Sequence, residues 1–362
     1  EGTTTKLHDS KKVENQTFGA NVTEEAVTIP GYNLAGETSQ TITIGTGTNE
    51  INFYYTKKTT LSYTVKYLEA GSDEELATSK TVENQTFGTE VTEKAIAING
   101  YNVTGESTKT ITIADESNEI VFYYTKKNDL SYVVNYLEKD TNQKLADAKT
   151  ETGKTYKDKV TEKAIAIDGY DLVGEATQNL TISHDNGKNV INFYYTKRTD
   201  LSYTVKYLEK ETNKKLADEK TVTGQTFGVT LSETALEIDG YTVDAPTKDV
   251  TITTGKNEIT FYYTKRADLA YTVKYLEKDT DTVLAAEKTV TGQTFGETAT
   301  EKAEAIDGYT VDAETKNVKI TTGKNEITFY YTKRADLAYT VNYYEEGTTT
   351  KLHDSKKVEN QT

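Results

Sequence analysis

One string, Phe-Tyr-Tyr-Thr-Lys, recurs five times in this chain, beginning at Phe53, Phe122, Phe193, Phe261 and Phe329. The steps between copies are 69, 71, 68 and 68 residues. A second marker, Leu-(Ser/Ala)-Tyr, begins at Leu61, Leu130, Leu201, Leu269 and Leu337 and moves by the same steps. A fixed period constrains the fold more than any composition, because every copy has to solve the same packing problem. A unit of this length lies at the small end for an independent core and is too long for one layer of a thin helical solenoid. The sequence therefore predicts small domains in a row. They are residues 1–60, a repeat lacking its first strand; 61–129, 130–200, 201–268 and 269–336; and 337–362, a partial repeat with a first strand and the start of a second.

The period extends to the ends. Residues 1–17, EGTTTKLHDSKKVENQT, return letter for letter at 346–362, an offset of 345. Such duplication is what a window on a longer covalent polymer produces, and that is the expectation. The alternative is a filament in which the spare strand of one chain completes the first repeat of the next.

The fourth repeat shows how one unit is built. In LSYTVKYLE, Tyr203, Val205 and Tyr207 alternate with Thr204 and Lys206, the period of a half-buried strand. A polar turn, Lys210 to Lys215, leads to a second strand around Leu216 to Phe227, where Gly224 and Gly228 predict a bulge or bend. Ser232-Glu-Thr-Ala, and Thr92-Glu-Lys-Ala in the second repeat, read as a capped helical turn. A Gly-Tyr pair follows in every repeat, with a positive φ expected at the glycine. A third strand, broken near Pro246, then runs through a hairpin signal, Thr254-Gly-Lys-Asn, into EITFYYTK. This order predicts a mainly β, α+β unit of β-grasp (ubiquitin-like) type. It has a mixed sheet, its first and last strands parallel at the centre, and one short helical turn. A wholly antiparallel sandwich is the rival. The connections, such as Thr-Lys-Arg-Ala-Asp at 264–268, hold no Pro-rich or Gly/Ser-rich spacer. Adjacent repeats are thus expected to touch and to form a semi-rigid rod on the order of 150 Å long, at about 3.3 Å per strand residue.

Taken in order, YTVKYLE, TVTGQTFG, GYTV and EITFYYTK resemble the MucBP (mucin-binding-protein) repeat over nearly the whole chain. Ile29-Pro-Gly-Tyr32 is the nearest local match; Asn99, Asp168, Asp239 and Asp307 replace its proline in later repeats. The resemblance implies β-grasp-like domains in large cell-wall-anchored surface proteins of Gram-positive bacteria, often adhesins, some of which bind mucin glycans. It implies no catalytic or ligand motif that transfers to residues of this sequence.

The residue inventory points away from chemistry. With no cysteine there are no disulfides, thiolate metal sites or thiol nucleophiles. A net charge of -15 argues against nucleic acid and anionic membranes, which require a basic footprint. No apolar run is long enough for direct membrane insertion. His8 and His353 occupy one phase of the period and His184 another, so no repeat holds two histidines and an exposed loop position is expected for each. Asp279-Thr-Asp281 has the spacing of a calcium loop without its glycine and distal glutamate, and reads as a turn. Lys66, Lys206 and Lys274 stand where some adhesins form isopeptide cross-links, but Asn135 and Asn342 replace them in other repeats. Asn-x-Thr triplets at Asn15, Asn21, Asn84, Asn102, Asn179 and Asn360 read as chance in a Thr-rich chain.

Of the 27 tyrosines, all but Tyr156 and Tyr344 recur in phase. Tyr203, Tyr207 and Tyr263 are expected in the core of a unit that has no Trp or Met to fill it. Tyr54, Tyr123, Tyr194, Tyr262 and Tyr330 point the other way and are the candidates for glycan or inter-repeat contact. The sequence thus predicts a non-enzymatic, cofactor-free, extracellular stalk or fibre at a microbial surface, with neighbouring repeats as partners. The alternative is a multivalent adhesin for host mucin or other glycans.

Overall fold

A computed structural model of the chain describes residues 5–361. It divides into two compact units, one comprising Glu1–Ile167 and Leu172–Thr196, the other Asp168–Asp171 and Lys197–Thr362.

The second repeat serves as the type. Its six strands are Leu61–Glu69, Glu75–Gln85, Glu90–Lys94, Tyr101–Thr104, Thr108–Thr112 and Glu119–Lys126. Four form one sheet in the order second, first, sixth, fourth. The first and sixth run parallel at its centre, with Val65 opposite Ile120 and Tyr67 opposite Phe122. The third and fifth pair antiparallel as a separate two-stranded sheet. Both sheet arrangements recur in the fourth and fifth repeats.

Alternation decides what the layers bury. Tyr63, Val65 and Tyr67 of the first strand meet Ile120, Phe122 and Tyr124 of the sixth, and Val65 and Phe122 are 0% exposed. Val91 and Ile111, from the facing pair, pack onto that cluster. The equivalents Tyr203, Val205, Tyr207, Ile259, Phe261 and Tyr263 form the core of the fourth repeat. A buried tyrosine needs a partner for its hydroxyl, and Tyr263 donates to the Leu236 carbonyl at 2.6 Å.

The mainly β reading holds, and so does the parallel central pair, but no capped helical turn forms at the predicted place. Thr92-Glu-Lys lies within the third strand, Glu90–Lys94, and Ser232-Glu-Thr within Thr230–Thr234. In both, inward and outward residues alternate, so Val91 and Glu93 face the four-stranded sheet together. A helix this short cannot recover its nucleation cost, whereas the strand gains five paired residues against Thr108–Thr112. Among the described residues the helical element is a 3-10 turn, Asn186–Lys188.

The hairpin expected at Thr254-Gly-Lys-Asn is likewise corrected. Its flanking strands, Thr247–Thr251 and Glu258–Lys265, pair in different sheets, with Thr230–Thr234 and with Leu201–Glu209. The turn carries the chain from one layer to the other. Asn257 holds it in place: its side-chain oxygen accepts from the Thr253 amide at 2.9 Å, while its nitrogen donates to the Ser202 and Thr253 carbonyls. Asn118, Asn189 and Asn325 make the same set of bonds.

The first repeat contains Asn21–Glu25, Tyr32–Ala35, Ser39–Thr43 and Tyr54–Lys57. At the other end Leu337–Tyr344 and Lys351–Gln361 form an antiparallel hairpin.

Candidate functional site

The sixth strand of each repeat puts alternate residues on opposite faces, so the tyrosine between two core residues faces outward. Tyr262 lies between Phe261 and Tyr263, both buried, and is itself half-buried. Tyr194 and Tyr330 are similar, while Tyr54 and Tyr123 are 54% and 38% exposed. Each repeat contributes one such tyrosine, so the five form a series rather than a single site.

The fourth and fifth repeats build more around theirs. Asp244 follows the fourth strand, accepting from the Tyr262 amide at 3.2 Å and donating its own amide to the Tyr262 carbonyl at 2.9 Å. Lys248 bridges back to Asp244 at 2.7 Å and to the Thr260 carbonyl, with its ammonium 5.6 Å from the Tyr262 ring centre. Burial works against the Asp244 charge, but the Lys248 ammonium and the Tyr262 amide outweigh it and hold the carboxyl below its ordinary range. Asp312, Lys316 and Tyr330 repeat the arrangement. Beside Tyr330 lies a shallow groove of about 520 Å³, lined by Lys278, Asp279, Thr310, Val311, Asp312 and Thr332. This surface offers an aromatic face, hydroxyls and a free carboxylate, which suits a polyol held by stacking and hydrogen bonds. It presents no paired nucleophile and base.

The other candidates are placed separately. The rings of His8 and His353 contact the carbonyls of the following aspartates at exposed positions. His184 lies edge-on to Tyr156. Among the described residues no three His, Asp or Glu side chains converge as a metal set. Asp279 and Asp281 have φ of 72° and 53°, as turn residues do. Lys206 and Lys274 form ion pairs of 2.7 Å with Glu258 and Glu326, and the Lys66 partner is Glu119. Asn135 donates to Asn192 instead.

Two recurring features escaped the sequence reading. The first is a clasp between consecutive repeats. The Gly-Tyr pair of one repeat receives an aromatic ring from the loop after the second strand of the next. In the first unit Phe87 lies against Gly31 and meets Tyr32 at 5.5 Å, and Tyr156 lies against Gly100 and meets Tyr101 at 5.6 Å. In the second unit Phe227 covers Gly169 and Phe295 covers Gly240. One connector residue joins the two sides: the Arg266 amide donates to the Gly240 carbonyl, and the Arg266 carbonyl accepts from the Phe295 amide at 2.8 Å. Gly240 has a φ of +81°, and a Cβ there would come within 2.4 Å of the Phe295 ring. Thr322 adds a side-chain bond to Asp239. Tyr156 therefore has a phase after all, as the counterpart of Phe87, Phe227 and Phe295.

The second is a polar cluster tying the two sheets of one repeat. Glu93, from the two-stranded sheet, accepts from the Tyr63 hydroxyl and the Lys80 ammonium of the four-stranded sheet, both at 2.6 Å. Glu162 has Tyr132 and Lys149, Glu233 has Tyr203 and Lys220, and Glu301 has Tyr271 and Lys288. Lys80 and then Tyr63 hold the Glu93 carboxyl below its ordinary range. Its hydrogen bond to Glu93, followed by burial, pushes the Tyr63 hydroxyl up to about 12. Burial leads for Tyr132, Tyr203 and Tyr271, which also rise to about 12.

Against known families, the MucBP domain matches five times, at residues 1–56, 63–125, 133–196, 203–264 and 272–332. The chain is 31% identical over 330 residues to Internalin J of Listeria monocytogenes serotype 4b (strain F2365), covering 87% of this chain and 35% of that protein. It is 29% identical over 186 residues to Internalin I of the same strain, covering 50% of this chain and 9% of that protein. The chain thus spans about a third or less of the curated relatives it matches. Among solved structures, the Bacillus anthracis TIE protein aligns at a TM-score of 0.29 and 14% identity, covering 68% of this chain and 59% of that one.

Proposed function

From the membership of this chain in the MucBP domain family, we propose that it is the repeat region of an extracellular surface protein of a Gram-positive bacterium, acting as a stalk. Its mechanism is mechanical: short connectors and interlocked repeats hold a distal part of the protein away from the cell. The observation that carries this reading is the clasp. A binding module needs no fixed geometry toward its neighbour, whereas a stalk does, and a ring seated on a glycine backbone supplies it. The reading covers the domain limits given from the period, and it makes the repeats non-catalytic and each other's partners.

The test uses the absence of native cysteine. Spin labels at Glu219→Cys and Glu287→Cys, equivalent exposed positions of the fourth and fifth repeats, are expected to give one narrow distance distribution. Phe295→Ala broadens it. A distribution already broad in the unaltered chain would defeat the stalk reading.

A second reading has its own support in the Asp312–Lys316–Tyr330 surface and its groove. The fourth and fifth repeats would engage mucin or other glycans weakly, with multiple copies supplying avidity. On a glycan array, loss of signal in the Tyr262→Ala/Tyr330→Ala double variant supports it, and an unaltered signal removes these tyrosines from consideration.

A further inference from the structure

The connectors of a repeat attach to two strands that lie side by side. In the fourth repeat the chain enters at Leu201, the amino end of the first strand, and leaves at Lys265, the carboxyl end of the sixth. These strands are parallel and in register from Thr204 opposite Glu258 to Glu209 opposite Tyr263. Entry and exit therefore lie at opposite ends of one strand pair. Tension carried along the chain slides the first strand backward past the sixth. The bonds of a parallel ladder are evenly spaced, and sliding loads them together rather than in turn. An antiparallel pair would have placed both connectors at one end and opened a rung at a time.

The ladder reaches beyond the paired residues at both ends. At one end the Asn257 carbonyl accepts from the Thr204 amide at 3.0 Å, and the Asn257 side chain donates to the Ser202 carbonyl at 3.0 Å. At the other the Lys210 amide donates to the Tyr263 carbonyl at 2.9 Å. Asn118, Asn189 and Asn325 add the same rungs in the second, third and fifth repeats. Water competes for a strained rung, and the core keeps it from one face, where Val205 and Phe261 are 0% exposed. On the other face Lys206 bridges to Glu258 at 2.7 Å and Lys265 to Glu209 at 3.8 Å, so ion pairs cross between the same two strands. The second and fourth strands form the edges of this sheet and carry no connector.

We propose that the second to fifth repeats are shear clamps. Each stays folded under tension applied through its connectors, so the array serves as a tether that transmits pull. This goes beyond holding a distal part away from the cell. A stalk needs a fixed geometry between repeats, whereas a tether needs resistance within each one. The inference rests neither on the clasp nor on glycan binding. Forced unfolding is governed by the unfolding rate rather than by equilibrium stability, so the resistance depends on the direction of the pull.

Pulling one repeat in two directions tests it. The chain has no native cysteine, so a pair of cysteines at exposed positions fixes where the load is applied in the full chain. Thr199→Cys with Ala267→Cys loads the fourth repeat through its connectors and shears the parallel pair. Thr199→Cys with Thr223→Cys pulls on adjacent ends of the antiparallel first and second strands and peels them apart rung by rung. Single-molecule force spectroscopy is expected to give a shearing force several-fold above the peeling force at the same pulling speed. The sheared repeat should release about 200 Å of chain in one step, at ~3.3–3.6 Å per residue. Equal forces in the two directions, a stronger peel, or a shear that pays out chain gradually from low force would overturn the proposal. None of these results would alter the spin-label distances, so the clamp can fail while the stalk reading stands.

Discussion

Glu93 and its three counterparts link the two layers of each repeat through charges that titrate, so stability should follow pH at both ends of the scale. The carboxylates are held below their ordinary range in the folded state, chiefly by lysine and tyrosine hydrogen bonds. A depressed carboxyl contributes stability that is present above its unfolded pKa and lost as pH falls through the folded one. The tyrosines behave oppositely. Their folded values stand at about 12 against an ordinary 10.0. Between those values the unfolded chain has released protons that the folded chain retains, so stability falls as pH rises across that window. Thermal unfolding of the full chain is therefore expected to be flat through neutrality, with midpoints dropping below the carboxylate range and again above pH 10. Replacing Glu93, Glu162, Glu233 and Glu301 by Gln should flatten the acid limb and leave much of the alkaline one. An acid limb unchanged by the four substitutions would place its cause elsewhere.

At the scale of elements, each repeat depends on one residue type that alternation does not reveal. Asn257 sits where the chain leaves one sheet for the other, and it is 7% exposed. Asn257→Ala removes a set of bonds to Thr253 and Ser202 and strands buried backbone groups, at a cost of about 2 kcal/mol or more. Calorimetry should show the melting transition of one repeat moving down while the others stay, since tandem repeats need not unfold as one unit. A shift shared by all transitions would mean that the repeats unfold together. The same residue explains why the sequence was only partly legible. The period-2 pattern identified the first and sixth strands, and their core tyrosines, because a strand buried on one face cannot slip register. It could not say which strands share a sheet. Thr254-Gly-Lys-Asn has the composition of a hairpin turn, and only the Asn257 bond to Ser202, 55 residues away, tells it from one. The Thr-Glu-Lys-Ala segments failed differently. Capping residues favour a helix start locally, but long-range pairing with Thr108–Thr112 outweighed that preference. The outward tyrosines were legible, again from alternation. The Asp-Lys clamp around two of them was not, because Asp244 and Lys248 meet Tyr262 only after the fourth and fifth strands diverge.

For the molecule as a whole, the question is whether the repeats move as one body or as several. Within each unit, the clasp that the proposed stalk needs rests on an absence of side chain and can be tested there. Gly240 adopts a φ of +81°, a conformation that costs an L-residue about 1 kcal/mol, and the Phe295 ring occupies the place its Cβ would take. Gly240→Ala therefore carries two penalties, one inside the fourth repeat and one at its contact with the fifth. The variant cannot relieve the clash except by lifting the ring, and lifting it separates the Arg266 carbonyl from the Phe295 amide that now caps it. The connector 264–268 then becomes a free chain segment rather than a clamped one, and free segments are where proteases cut. Gly240→Ala is thus expected to speed cleavage between the fourth and fifth repeats several-fold. Gly292→Ala serves as the control: that glycine also has a positive φ, of +70°, but nothing lies within 4 Å of its Cβ position. It should lower stability without opening the junction. Equal cleavage in the two variants would show that backbone strain, and not the seated ring, governs the connector, and the clasp would lose its role in holding the repeats in line.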